Sequence, residues 1–232
     1  MRERSEAAEA DQTRPAPAPR PEIETFTLGP FATNCYLVRG SGEHAARCWI
    51  ADASFEPGPL LDRVRELGLT PEAVVLTHAH VDHIAGLFAV RRAFPGVPIW
   101  IHEAEERWLT DAELNLSALG GFPVTGPTPD RLLRDGETLS LCGEAWEVRH
   151  TPGHSPGGIA LIHHASNTAI TGDALFAGSV GRTDFPGSSF DRLERSIREK
   201  LYTLPGETVI HPGHGPSSTI GRERDSNPFV YG

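Results

Sequence analysis

Four metal-competent side chains stand within six residues at His78-Ala79-His80-Val81-Asp82-His83. They follow the apolar run Ala73 to Thr77 and precede a segment with helical spacing. His78 and His80 are two apart, so in extended backbone they project to the same side. Asp82 and His83 fall where the chain turns toward the helix and point elsewhere, so one short loop can feed two neighbouring metal ions. A lone histidine is ordinarily a packed or solvated residue; an HxHxDH cluster after a strand reads as a metal-binding loop. Three further segments repeat one arrangement, an apolar β run ending in a glycine-containing loop. EVRHTPGHS ends with His154, TAITGDALF carries Asp173, and TVIHPGHG carries His214. Gly153, Gly172 and Gly213 directly precede these residues and permit tight turns where loops crowd together.

The donor count suits two metals. His78, His80 and His154 supply three imidazoles, the open-faced set of a catalytic zinc ion. Asp82, His83 and His214 supply a second set, and Asp173 has two oxygens with which to bridge. Imidazole and carboxylate donors suit zinc first, with iron and manganese as alternatives, and the lack of a thiolate disfavours a purely structural zinc. Two divalent ions about 3.5–4 Å apart are therefore expected.

The elements that must position these residues alternate along the chain. Strands are expected over Ile23–Gly29, Asn34–Gly40 and Cys48–Ala53, the last containing Asp52. Leu60, Leu61, Val64 and Leu67 predict a helix that stops at Gly68. The strand before the metal loop is followed by one helix over Ile84–Phe94, a strand over Val97–Glu103 and a helix over Ala104–Leu114. Asn115 to Pro129 is rich in Gly, Pro and Thr and reads as a loop that can cover a site. A β-rich half follows, then an amphipathic helix over Phe190–Leu204 and a last strand around Val209. The pattern predicts an α/β fold, an αββα sandwich of two mixed sheets with helices outside. Residues 1–22, ending in PAPAPRP, read as a disordered Pro/Ala-rich tail before a domain over 23–232.

Composition excludes several classes. The 232-residue chain has 21 basic and 31 acidic residues and a formal net charge of -10, against a nucleic-acid partner. Lys200 is the single lysine, so no polybasic cluster holds a membrane. No targeting or membrane-spanning run is visible, and a soluble cytoplasmic protein is expected. Cys35, Cys48 and Cys142 are too scattered for a disulfide framework or a CxxC zinc site.

HAHVDH, TPGHSPGG, TGDALF and PGHG together resemble the metallo-β-lactamase fold superfamily. NCYLV near the start, GRTDFPG after Asp173, and HPGHGPSSTIGRERDSNPF at the end resemble its short glyoxalase II-like (hydroxyacylglutathione hydrolase-like) branch. The resemblance implies one metal on His78, His80, His154 and Asp173, and a second on Asp82, His83, His214 and the same Asp173. It implies a dinuclear-metal hydrolase of small-molecule thioesters, of the S-acylglutathione type, in which a hydroxide between the metals attacks the carbonyl. Asp82 is expected to orient that hydroxide or take its proton. A thiol with a pKa of about 8.5 leaves without a strong general acid, which favours a thioester over an amide. Longer glyoxalase II enzymes carry a helical C-terminal domain that helps bind glutathione; this sequence stops shortly after His214, so the hydrolytic core is expected without it. A mononuclear iron persulfide dioxygenase on the same fold is the alternative.

The resemblance also gives Asp52 a supporting role behind a metal ligand, with a plain turn residue as the competing reading. Arg182 is a candidate clamp for a substrate carboxylate or the partner of Asp184. His211 reads as structural; His44, His102, His150, His163 and His164 as solvated; Cys35 as core. Trp108 and Phe122 flank the long loop as an apolar wall or as core.

Overall fold

The computed structural model describes residues 21–232; the tail expected over 1–22 lies outside the described residues except for its last two positions, and Glu22 already opens the first strand. Six strands form one sheet: β1 (Glu22–Leu28), β2 (Thr33–Arg39), β3 (Arg47–Ala51), β4 (Thr70–Val75), β5 (Ile99–His102) and β6 (Arg131–Leu133). They lie side by side in chain order, antiparallel through β3 and parallel from β3 to β6. The second half adds β7 (Thr138–Leu141), β8 (Glu144–His150), β9 (Ile159–His163), β10 (Thr168–Gly172), a small hairpin of β11 (Leu175–Phe176) and β12 (Ser179–Val180), then β13 (Val209–Pro212) and β14 (Ser218–Thr219). The second six-stranded sheet runs β14-β13-β10-β9-β8-β7.

Strand alternation explains the layering. In β2, Tyr36 and Val38 face the space between the sheets, while Cys35 and Leu37 face outward into a different cluster. The inter-sheet core joins Tyr36, Trp49 and Val75 to Trp146, Leu161 and Ile170. Trp49 and Trp146 meet edge to face with centroids 4.9 Å apart, a contact contributing about 0.5–1.5 kcal/mol beyond area burial. Outside the first sheet, Leu37, Ile50 and Ile99 pack on α1 (Gly58–Glu66), α2 (Val81–Ile84) and α3 (Leu87–Ala93) through Leu60, Val64, Ile84 and Leu87. Outside the second, Ile162 and Ile210 pack on α4 (Phe190–Ser196), its π-helical continuation Ile197–Leu201, and α5 (Ile220–Ser226). Three apolar layers between four layers of structure make the αββα sandwich. Among the described residues no helix is long and apolar enough to cross a membrane.

Two helices differ from expectation. The single helix expected over Ile84–Phe94 is two, α2 and α3, meeting at Gly86. Gly86 lies against the backbone after β3: its N–H donates to the Ala53 carbonyl at 2.7 Å, and a Cβ there would sit 2.3 Å from the Ser54 oxygen. The helix expected over Ala104–Leu114 is a 3-10 segment, Glu103–Leu109, followed by turns. Its interior breaks at Glu105 (φ -120°, ψ 17°), whose carboxylate is drawn inward to the site described next. The short α5 lacks a run of apolar periodicity and went unforeseen.

Candidate metal centre

The loops after β4, β8, β10 and β13 gather at one rim of the sandwich. Main-chain bonds bind them there: Ile159 N–H donates to Thr77 O at 2.8 Å, Gly213 N–H to Gly172 O at 2.8 Å, and Asn34 N–H to Gly213 O at 2.7 Å. His78 Nε2 lies 3.1 Å from His80 Nδ1, which lies 2.8 Å from His154 Nε2. His83 Nε2 lies 3.4 Å from Asp82 Oδ2, and His214 Nε2 lies 3.2 Å from the same oxygen. Asp173 stands between the two groups: Oδ2 is 3.4 Å from His154 Nε2 and 3.5 Å from His214 Nε2, and Oδ1 is 3.5 Å from His83 Nε2. All seven residues expected as donors are brought together, in triads of His78, His80, His154 and of Asp82, His83, His214.

These separations suit donors around ions at about 2.0–2.2 Å, which tetrahedral geometry spaces by roughly 3.4 Å. Hydrogen bonding among the residues does not account for the cluster. His83 Nε2 and Asp173 Oδ1 are buried without a hydrogen-bond partner, although they face one another across the site. A buried unpaired acceptor costs about 1–3 kcal/mol, and a cation between them removes that cost. The donor set therefore fits divalent metal.

The atoms behind the donors aim them. Asp52 leaves β3 with φ +61° and is buried. Its carboxylate accepts from Thr77 N–H and Thr77 Oγ1, both at 2.7 Å, and from His83 Nδ1 at 2.8 Å. With Nδ1 so occupied, His83 turns Nε2 to the site, the usual division of labour in a metal-ligating imidazole. His154 Nδ1 donates to the Arg182 carbonyl at 2.7 Å, which frees its Nε2 in the same way. Thr33 Oγ1 donates to Asp82 Oδ2 at 2.8 Å. Asn34 Nδ2 donates to the carbonyls of Pro212 and Gly215 at 3.0 and 2.8 Å, and Tyr36 Oη to Pro212 O at 2.6 Å, fixing the His214 loop. Gly153 and Gly172 take positive φ, as tight turns require; Gly213 instead serves close approach, because a Cβ there would lie 2.0 Å from Asp173 Oδ1.

Electrostatics divide the site. Burial, then neighbouring imidazoles, press the pKa of His78 below its ordinary value; burial, then His154, does the same to His80; burial also lowers His154. For His83 burial acts downward too, but Asp82, Asp173 and Asp52 outweigh it and hold the imidazole at about 10. His214 is likewise raised, Asp82 and Asp173 outweighing burial. Burial works against ionised Asp82, yet His83, His214 and Thr33 keep it well below the usual carboxylate range. In the metal-free protein near pH 7 the first triad is thus unprotonated, whereas His83 carries a proton that a metal must displace. Raising pH toward 10 removes that proton, so affinity at the Asp82–His83–His214 triad is expected to climb about tenfold per pH unit per displaced proton. The first triad should stay nearly flat between pH 7 and 9. Titration calorimetry in buffers of different ionisation enthalpy checks this by counting protons released; equal pH dependence at both steps would contradict it.

Glu105 was missed by sequence reasoning. It is fully buried, and its carboxylate accepts from Ala79 N–H at 2.6 Å and Gly157 N–H at 2.7 Å. One side chain thereby clamps the His78–His80 loop to the His154 loop. Burial raises its pKa, while Ser155 and those two N–H groups pull the other way. A glutamate in the acidic stretch HEAEE gives no signal of burial by composition or period. Glu105→Gln keeps the shape but turns an amide N–H toward one of two main-chain donors. Metal affinity or turnover is expected to fall about 10- to 100-fold, checked by metal titration and kinetics, with circular dichroism unchanged.

Other sequence readings settle variously. Arg182 lines the cavity at the site, but its guanidinium makes two bonds to Asp184, at 2.9 and 2.8 Å, and lies 4.4 Å over the Phe185 ring. His102 and His163 are buried rather than solvated. His102 stacks on half-buried His150 with centroids 4.0 Å apart, and His163 Nδ1 bonds Ser166 Oγ at 2.7 Å. His44 is half-buried, and His164 is exposed as expected. His211 packs edge-on against Tyr36. Cys35 is core, with Ser54 N–H 3.2 Å from its Sγ, and all three cysteines are free and buried. Trp108 is buried, whereas Phe122 is exposed on the cavity wall.

The family model described as the metallo-beta-lactamase superfamily matches residues 28–214, the span that holds every donor. The chain belongs to the metallo-beta-lactamase superfamily. Among curated relatives it is 39% identical over 206 residues to the probable metallo-hydrolase YqgX of Bacillus subtilis, covering 88% of this chain and 95% of that one. It is 38% identical over 210 residues to the hydroxyacylglutathione hydrolase GloC of Haemophilus influenzae, covering 90% and 97%. Among solved structures, BLEG-1 B3 metallo-beta-lactamase superposes with a TM-score of 0.86 at 38% identity, covering 91% of this chain and 100% of that one. TTHA1623, solved in a di-iron-bound form, superposes with a TM-score of 0.78 at 38% identity, covering 90% and 100%. As a member of this superfamily the chain carries a histidine-rich metal site of the metallo-hydrolase type, with donors for two ions.

Proposed function

We propose that this protein is a dinuclear-metal hydrolase of small-molecule thioesters, of the S-acylglutathione kind, with zinc as the first candidate metal. The observation that carries the reading is the pairing of two donor triads across Asp173 at the floor of a single cavity. His78, His80 and His154 would hold one ion, Asp82, His83 and His214 the other, with Asp173 between. Bound divalent ions supply an activated water at neutral pH, whose pKa falls from 15.7 to about 7, and a Lewis acid for a carbonyl. Asp82 is ionised and held by Thr33, so it can accept a hydrogen bond from that water and set its direction.

The cavity also bears on the leaving group. Apart from the donor imidazoles and carboxylates, its polar side chains are Ser117, Ser179 and Arg182. None is an acid suited to protonating a departing amine. A thiolate needs no such proton, so a thioester fits better than an amide. The relatives named hydroxyacylglutathione hydrolase and metallo-hydrolase point the same way. A mononuclear iron persulfide dioxygenase, the rival on this fold, would use one ion. Here the second triad is assembled as closely as the first, which favours the hydrolase.

Metal-loaded protein should release thiol from S-acylglutathione thioesters, in a panel that includes lactoylglutathione. Oxygen uptake with glutathione persulfide and no thiol release would replace this reading with the dioxygenase. Rapid opening of a β-lactam with no thioester cleavage would replace it with the chemistry named for BLEG-1.

A further inference from the structure

The cavity before the donor cluster has a volume of about 560 Å³, and its walls are unlike its floor. Phe31, Phe55, Leu119, Phe122, Phe176 and Phe185 line it. They come from separate segments, so no single amphipathic element explains them. Phe185 lies 5.5 Å from the His80 ring and Phe176 lies 6.0 Å from the His214 ring, centroid to centroid. Phe31, Leu119 and Phe122 are 56%, 72% and 77% exposed. Large apolar groups kept in water around a concave site mark a place where apolar surface is to be covered.

The loop bearing Leu119 and Phe122 is built to hold them there. Asn115 Nδ2 donates to Trp108 O at 3.1 Å and Val124 O at 2.9 Å, and Asn115 Oδ1 accepts from Ser117 N–H at 3.0 Å. Val81 N–H donates to Asn115 O at 3.0 Å, tying the loop to the donor segment itself. The polar inventory is correspondingly thin. Ser117 Oγ is used within the loop, accepting from Val124 N–H at 2.9 Å. Arg182, the one cationic side chain on the wall, is engaged by Asp184 and Phe185.

Resting on the thioester reading above, we infer that the acyl group this site takes is an apolar chain or aryl-alkyl group of several carbons rather than a short hydroxylated one. The carbonyl lies at the donor floor, and the chain lies between the Phe31–Phe55 wall and the Leu119–Phe122 tip. Each methylene buried there raises kcat/KM by up to about fourfold. A hydroxyl on the acyl chain finds only the Ser179 hydroxyl as an unengaged side-chain partner on these walls, so most of its hydration is lost without replacement.

The test is a series of acetyl, butyryl, hexanoyl, phenylacetyl and lactoyl thioesters, each on glutathione and on N-acetylcysteamine, with metal-loaded protein. The expected result is a steep rise of kcat/KM from acetyl to hexanoyl and phenylacetyl on at least one carrier. In Phe122→Ala and Leu119→Ala the hexanoyl-to-acetyl ratio is expected to fall about tenfold. Both truncate exposed side chains, and unchanged melting temperatures would show that folding is intact. Cleavage of acetyl and lactoyl thioesters with a flat or falling response to chain length overturns the inference and leaves the thioesterase reading standing. A rise that both variants preserve also overturns it, because the binding wall then lies elsewhere. Failure to cleave any thioester overturns both.

Discussion

Asp173→Asn is expected to lower hydrolysis by about a thousandfold or more and to leave the protein unable to hold two metal ions at once. Asp173 follows β10, and its two oxygens lie 3.4–3.5 Å from imidazole nitrogens of both triads, on His83, His154 and His214. Among the described residues no other carboxylate lies within 4 Å of imidazole nitrogens of both triads; Asp82 meets His83 and His214 alone. Asparagine matches it in shape, so packing against Gly213 and the neighbouring loops is retained. It differs in charge and in donor character. The substitution removes a negative charge that offsets two cations, and it presents N–H hydrogens where lone pairs are needed. The outcome separates from misfolding because asparagine keeps the packing, so the circular dichroism of the metal-free variant should match that of the metal-free parent. Elemental analysis after loading, alongside thioester turnover, makes the measurement. Two tightly bound ions and parental turnover in Asp173→Asn would sink the bridging role.

Stripping the metals should abolish turnover and lower the melting temperature by roughly 8–16 °C. That range counts one site, with about 4 kcal/mol of linkage when free metal stands at 1,000 times its dissociation constant and 2–4 °C per kcal/mol for a chain of this size; a second site at the same excess would about double it. The physical cause lies in the donor cluster itself. Five imidazoles and two carboxylates crowd one rim, and His83 Nε2 and Asp173 Oδ1 are buried without partners. Each gains a ligand when an ion enters. Zinc, manganese and ferrous iron added back separately should each restore the melting temperature, and the metal that restores turnover identifies the working one. Scanning calorimetry before and after chelation reads the shift. Full activity in protein shown by elemental analysis to be metal-free would end the metal-dependent scheme.

How much was legible in the residues depends on how far apart the deciding atoms lie in the chain. The HAHVDH loop could be read directly, because a strand followed by a turn aims donors two apart to one side and the next pair to another. His154, Asp173 and His214 were expected from the same local grammar, apolar strand then glycine then donor, and the fold brings them to the same rim. The layers were legible from alternation, as in β2, where neighbouring side chains enter different cores. The helix expected over Ala104–Leu114 failed because Glu105 is held by main-chain donors from two distant loops, a force that propensity does not contain. His102 and His163 failed similarly: polar residues at strand ends look solvated until another element covers them.

The kinds of atoms available to a metal, their local spacing and the sandwich that carries them were written in residue order, because hydrophobic period and turn chemistry act over a few neighbours. The mutual placement of the two triads about Asp173, the clamp made by Glu105, the pairing of Arg182 with Asp184 and the apolar walls above the site came from the folded chain. Those features arise where segments tens of residues apart are packed together, and burial, charge compensation and cavity shape exist only after that packing has occurred.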